Sequence, residues 1–194
     1  MIEHVQEGNG VFSVPLLEPG ICRQIVERVK KSKDWEIAEV GSETESGEIL
    51  SLADNEFRSA SVLFTGNGAV DCREFDTRVD TVIQPLIREI WKLDLPDREV
   101  TQIVRYRPGG HYDAHSDAAL DLELRYFTVV CYLNEDFDGG RTSFPYLGNL
   151  SVRPEVGKTI IFPSRYVHTA EPVYKGEKYV AVTWLHGPVA VNWL

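Results

Sequence analysis

Five residues of this chain could hold a metal ion between them. In the stretch Tyr106-Arg107-Pro108-Gly109-Gly110-His111-Tyr112-Asp113-Ala114-His115-Ser116-Asp117, histidine and aspartate stand two residues apart twice, as His111-x-Asp113 and His115-x-Asp117. In an extended backbone, residues i and i+2 point to the same face. An imidazole and a carboxylate of either pair can therefore grip one ion from a rigid edge. A third ligand must come from elsewhere, and His168 is the best candidate. Two histidines and one carboxylate, with coordination positions left open, form a ligand set suited to non-haem Fe(II) oxygen chemistry.

Spacing alone leaves the register open, because the two pairs have the same form. The Pro108-Gly109-Gly110 turn predicts that His111 lies on the turn rather than on the strand. A helical reading, with His111 and His115 one turn apart as in zinc peptidases, lacks the glutamate that should follow the first histidine. Taken alone, a His-x-Asp pair is most often a solvated loop feature, so the elements that would carry these residues must be read next.

At 194 residues the chain suits one domain, able to bury a core without staples. Hydrophobic residues make up 43% and no apolar run reaches the length of a membrane span, which predicts a soluble globular protein. Cys22, Cys72 and Cys131 are odd in number and widely spaced, pointing to reduced, buried thiols, and with no signal-peptide pattern at Met1-Ile2-Glu3-His4 a cytoplasmic location is expected. The formal net charge of −10 and the absence of a basic run argue against nucleic acid as a partner.

Along the chain, residues 10–14 read as a strand, and Glu18-Pro19-Gly20 opens a helix with Ile21, Ile25, Val26 and Val29 on one face. Residues 36–56 lose all periodicity and read as a mobile loop, a candidate lid. Residues 57–64 resume as a strand; Arg58 there is a surface arginine or a substrate contact. Asp71-Cys72-Arg73-Glu74 has the form of a capping box. The helix it opens contains Pro85, which should kink or split it. Beyond Leu95-Pro96-Asp97 strands dominate, at 99–106, 125–133, 158–162, 168–173 and 178–185, separated by glycine turns. The pattern predicts a mainly β fold with flanking α: a barrel or jelly roll buttressed by N-terminal helices. One domain is expected over 1–194, with helical support and lid over about 1–98 and the β core over about 99–187.

In the last strand, Lys178, Val180, Val182 and Trp184 share a face by alternation. A lysine on such a face is costly to bury without an anionic partner, although an edge lysine usually snorkels to water.

With these residues in view, the sequence resembles the Fe(II)- and 2-oxoglutarate-dependent dioxygenases, and within them the prolyl 4-hydroxylase-like group. The family's Tyr-x-x-Gly-x-x-Tyr-x-x-His-x-Asp pattern is met by Tyr106, Gly109, Tyr112, His115 and Asp117, which selects His115 and Asp117 over His111 and Asp113. Arg125 to Asn134 resembles the family's next strand, and Gly139, Gly140 and Phe144 match its Gly-Gly-x-x-x-Phe element. His168 matches the distal ligand, Lys178 the basic residue for the cosubstrate, and Trp184 the aromatic near the strand's end.

The resemblance implies a double-stranded β-helix (jelly roll, cupin-like) with iron on His115, Asp117 and His168. It implies 2-oxoglutarate and O2 as cosubstrates, with ascorbate a candidate further cofactor. The far carboxylate of 2-oxoglutarate would pair with Lys178 and accept a hydrogen bond from Tyr132, with Tyr106 and Thr128 adding hydroxyls and Trp184 lying nearby. Arg58 and Arg125 are the cations available for substrate. The implied reaction hydroxylates an unactivated C–H bond, of a proline or another residue in a protein or peptide, or else of a free amino acid or small metabolite, and releases succinate and CO2. A zinc hydrolase would leave Lys178 unexplained; a non-catalytic metal-binding β-barrel module is the rival from another class. Oligomeric state is not legible.

Overall fold

The computed structural model describes residues 3–43, 49–65, 71–118, 122 and 124–187. The N-terminal half holds β1 (Val5–Gly8), β2 (Val11–Pro15), α1 (Pro19–Lys30), β3 (Glu36–Ile37), β4 (Val40–Glu43), β5 (Ile49–Leu52), β6 (Arg58–Ser59) and β7 (Ser61–Phe64). It then runs through α2 (Arg73–Arg78), a π-helical stretch (Val79–Ile83) and α3 (Gln84–Trp91). The C-terminal half adds β8 (Gln102–Tyr106), β9 (His111–His115), β10 (Arg125–Tyr132), β11 (Asp138–Gly139) and β12 (Thr142–Phe144). After these come β13 (Leu150–Val152), β14 (Lys158–Pro163), β15 (His168–Ala170), β16 (Val173–Lys175) and β17 (Lys178–His186).

An eight-stranded antiparallel sheet, ordered β1-β2-β14-β10-β17-β8-β7-β3, faces a five-stranded one, ordered β13-β12-β15-β9-β6. Together they form a double-stranded β-helix. Alternation along β10 and β17 divides the interior in two. Val129, Cys131, Tyr179, Ala181 and Leu185 pack against the helices, while Val130, Tyr132, Val180, Val182 and Trp184 turn towards the smaller sheet. On the helical side Phe75, Ile83, Leu86 and Ile87 are fully buried, each contributing about 1.5–3 kcal/mol relative to exposure.

Several sequence expectations are redrawn. Pro85 does split its helix: lacking an N–H, it sits in the first turn of α3, and the π-helical stretch before it absorbs the break. The capping box does not form. Helix α2 begins after Cys72 without a side-chain cap, Asp71 instead binds Arg73, and Glu74 pairs with Arg28 of α1.

The loop expected over 36–56 is partly regular. β4 and β5 form a hairpin with Val40 opposite Leu52, and β3 edges the large sheet; residues 44–48 of that loop lie outside the described residues. The single strand expected over 57–64 is two strands in different sheets, since β6 pairs with β9 and β7 with β8. Residues 168–173 likewise divide between β15 and β16. His111, expected on the turn, opens strand β9, because the chain reverses one residue earlier. Nor is the N-terminal half only helical support: β1, β2, β6 and β7 complete both sheets. The three cysteines are buried and unbridged, and among the described residues no helix is long and apolar enough to cross a membrane.

Candidate metal and cosubstrate site

His115 ends β9, and Asp117 follows two residues on, where the strand bends away. His168 opens β15 directly across the ladder from His115. The ligand atoms of His115, Asp117 and His168 all lie within 4.8 Å of one another. Asp117 Oδ1 is 3.4 Å from His115 Nε2, and its Oδ2 is 3.6 Å from His168 Nε2. Each imidazole presents Nε2 because its Nδ1 faces a backbone carbonyl: Asp113 O at 2.7 Å for His115, Tyr166 O at 3.0 Å for His168. Such contacts orient ligating histidines.

Charge also suits a cation. Burial pushes His168 down to about 4, so its ring is neutral near pH 7. Burial alone would oppose ionisation of Asp117, but His168, His115 and Trp184 around it outweigh that and hold its carboxyl far below the usual range. A neutral imidazole beside an ionised carboxylate is the protonation state metal binding requires.

The other pair stands apart. His111 is held between Gly109 O (3.0 Å) and Glu56 O (2.9 Å), and the Asp113 side chain is 61% exposed. His111 thus fastens β9 to a neighbouring loop, and its partner faces water.

The cavity beside the triad is lined by residues of both sheets, including Tyr106, Tyr112, Thr142, Lys178, Val180 and Trp184. Lys178 is 2% exposed and donates to Gly140 O at 2.7 Å. No carboxylate lies within ion-pair distance of it among the described residues, and burial depresses its pKa to about 7. Its ammonium sits over the rings of Tyr106 (5.0 Å) and Tyr132 (5.6 Å). Gly140 makes this cradle possible: its φ is +63°, and a Cβ there would come within 3.0 Å of Lys178 Cδ. A buried lysine with no ion-paired carboxylate among the described residues, in the same cavity as three side chains that could hold a metal ion, suits a chelating dianion.

Other expected residues take different parts. Tyr106 lines the cavity, and burial raises its phenol to about 12, keeping it a donor. Tyr132 does not line it: its hydroxyl donates to Thr142 Oγ1 at 2.8 Å, so Thr142 is the group that meets the cavity. Thr128 lines the wall, but its hydroxyl is taken up by Asp117 Oδ2 at 2.7 Å. The buried Trp184 indole N–H lies near enough to Asp117 to lower its carboxyl, but short of ordinary hydrogen-bond geometry among the described residues. Arg58 lines the cavity with its guanidinium 4.5 Å from the Tyr112 ring centroid and donates to Glu39 O at 2.9 Å.

Arg125 is not among the lining residues. It is clamped by Glu99 through two hydrogen bonds of 2.5 and 2.6 Å and stacks 3.8 Å from the Trp184 ring centroid. Three contributors went unseen as site residues in the sequence. Thr142 shares a buried face with Phe144, a weak alternation signal. Tyr112, which stacks on His115 with centroids 3.4 Å apart, was visible only as a motif position. Ser164, whose hydroxyl lies 2.9 Å from that of Thr128, carries no sequence signal at all.

The sequence model of the 2OG-Fe(II) oxygenase superfamily matches residues 101–186, a span that carries all three candidate ligands and Lys178. Over those residues the chain is similar to the 2OG-Fe(II) oxygenase superfamily. It is 40% identical over 93 residues to a PKHD-type hydroxylase of Sphingopyxis alaskensis, covering 43% of this chain and 42% of that one. The chain spans about half or less of the length of the curated relatives it matches. In fold it is similar to a Pseudomonas putida prolyl-4-hydroxylase (TM-score 0.73, 22% identity, 93% of this chain and 94% of that one). It is also similar to a prolyl hydroxylase from Trichoplax adhaerens in complex with a hypoxia inducible factor peptide fragment (TM-score 0.72, 18% identity, 92% and 84%).

Proposed function

We propose that this chain is a 2-oxoglutarate-dependent dioxygenase that hydroxylates proline, or another residue, in a protein or peptide. The observation that carries the reading is the meeting, in one cavity, of the His115–Asp117–His168 cluster with the unpaired, buried Lys178. The superfamily uses Fe(II), 2-oxoglutarate and O2, and the residues present fit the first two: a two-histidine, one-carboxylate donor set for iron, and a cation deep enough to hold a distal carboxylate. Bound together, the metal and cosubstrates supply the oxidising power that hydroxylates a C–H bond and releases succinate and CO2.

The chain's own residues do the rest. His115, Asp117 and His168 hold the metal. Lys178 pairs with the far carboxylate, while Tyr106 and Thr142 offer hydroxyls to it. Tyr132 holds Thr142, Thr128 holds Asp117, and Trp184 with Val104, Val130, Val180 and Val182 keeps the wall apolar, which strengthens the ion pair and excludes water. Arg58 borders the cavity and is placed to meet substrate.

A peptide substrate is supported by the likeness to prolyl hydroxylases, one of which holds a peptide fragment. The net charge of −10 disfavours nucleic acid. Residues 1–194 act as one domain in this reading, since N-terminal strands complete both sheets. Incubating the Fe(II)-loaded protein with 2-oxoglutarate and proline-containing peptides should release succinate and add one oxygen atom to the peptide. Peptide-independent succinate no higher than that of His115→Ala, with no product for any peptide, would overturn the reading.

A further inference from the structure

The Asp117 carboxylate is not held by the two histidines alone. Its Oδ2 accepts a 2.7 Å hydrogen bond from Thr128 Oγ1, and Thr128 Oγ1 lies 2.9 Å from Ser164 Oγ. Thr128 is 1% exposed and Ser164 0%. A threonine hydroxyl has a single proton, and an ionised carboxylate can only accept. With the Thr128 proton committed to Asp117, Ser164 must be the donor to Thr128. The direction is therefore Ser164 to Thr128 to Asp117.

Ser164 is also the point where the two ligand-bearing segments meet. Its carbonyl accepts from Asp117 N (3.0 Å), Ala118 N (3.2 Å) and Ser116 Oγ (3.1 Å), gathering the bend that follows His115. Its own N–H donates to Tyr126 O at 2.9 Å, anchoring it to the large sheet, and His168 follows four residues on. Buried hydroxyls are costly unless bonded, so a relay whose members are all satisfied orders its surroundings.

We propose that Thr128, held in turn by Ser164, is the positioning residue that sets the rotation of the Asp117 carboxylate and thereby the metal affinity of the site. With Oδ2 tied to Thr128, the carboxylate turns its Oδ1 edge towards His115. Without the tie, the carboxylate is free to rotate, and the site must be ordered by the metal itself. The inference rests on His115, Asp117 and His168 being metal ligands, and the test separates the two.

Co(II) serves as probe, read by its d–d absorption, with the melting temperature of the metal-free protein measured alongside. The parent should give a saturable band; its absence would overturn the metal site itself. Thr128→Val, which keeps the shape and removes the hydroxyl, should weaken Co(II) binding by about 10- to 100-fold and alter the band, with a smaller effect on the metal-free melting temperature. Thr128→Ser should restore most of the affinity. Ser164→Ala keeps the carbonyl clamp and should weaken binding less. The double variant Thr128→Val with Ser164→Ala should bind no worse than Thr128→Val alone, because Ser164 acts through Thr128. Parental affinity and band in Thr128→Val, or strictly additive losses, would overturn the relay. Should Thr128→Val fail to fold, Ser164→Ala decides: parental affinity and band in that variant overturn the proposal equally.

Discussion

His115 and His168 are cross-strand partners in the β9–β15 ladder, with their ring centroids 4.3 Å apart. Directly opposed side chains on antiparallel strands have Cβ atoms about 4.5–5.5 Å apart, so one register brings two imidazoles to one point from positions far apart in sequence. A slip of one residue would turn His168 to the other face of the sheet. The site thus depends on strand pairing, and the bend after His115 then swings Asp117 in beside both rings.

Replacing His115, Asp117 or His168 by alanine should abolish Fe(II) binding, since two remaining ligands hold the ion too weakly. His111→Ala and Asp113→Ala should bind the metal nearly as the parent does. Equilibrium dialysis against Fe(II) under anaerobic conditions checks this, and loss of iron in Asp113→Ala would mean that the other register carries the site.

Lys178→Ala should raise the 2-oxoglutarate requirement steeply while leaving Fe(II) binding intact. Removing one partner of a desolvated ion pair costs about 3–5 kcal/mol, on the order of a hundredfold to a few thousandfold in affinity. Titrating 2-oxoglutarate into the Fe(II)-loaded variant without oxygen reads this directly. Parental affinity would move the assignment to another cation.

Binding of 2-oxoglutarate should take up a proton. Burial lowers Lys178 to about 7, and a bound carboxylate raises it again. Affinity should therefore be full below pH 7 and fall as pH rises above it. Lys178→Arg, whose guanidinium stays charged, should bind more weakly but lose this pH dependence. Calorimetry near pH 8 in buffers of different ionisation enthalpy measures the uptake; none would show that Lys178 is already charged in the free protein.

The same depression bears on stability. Between pH 7 and the ordinary lysine range, the unfolded chain holds a proton that the folded chain lacks, so Lys178 is most destabilising below pH 7 and less so as pH rises. Lys178→Met should raise the melting temperature of the ligand-free protein, more at pH 6 than at pH 9, while abolishing 2-oxoglutarate binding. A lower melting temperature at both values would mean that the lysine's bond to Gly140 outweighs its desolvation.

The β3–β5 region should close over the cavity when substrate and cosubstrate are both present. Arg58 of the cavity wall donates to Glu39 O, just before β4, which links this region to the site. Hydrogen exchange over 36–43 and 49–56 should slow in the ternary complex relative to the Fe(II) form. Equal exchange in both states would reduce the region to a fixed surface hairpin.

Much of this was legible in the sequence because it was local. The alternation of Lys178, Val180, Val182 and Trp184 put a lysine on an apolar face, and the two His-x-Asp pairs offered candidate ligands, between which only the family resemblance chose. The type and order of the main strands and helices followed from periodicity, and the break at Pro85 from its missing N–H.

What the tertiary structure decided was long-range. Pairing, not composition, made a hairpin of the acidic 36–56 stretch, divided 57–64 between two sheets and put His111 on a strand. Tyr132 gave way to Thr142 at the cavity wall because its hydroxyl finds Thr142 first, and Arg125 was drawn to Glu99, 26 positions away. Ser164 acquires its place only when β14 and the bend after His115 meet. A buried hydroxyl's partners are set by packing in three dimensions, and a one-dimensional pattern carries no trace of them.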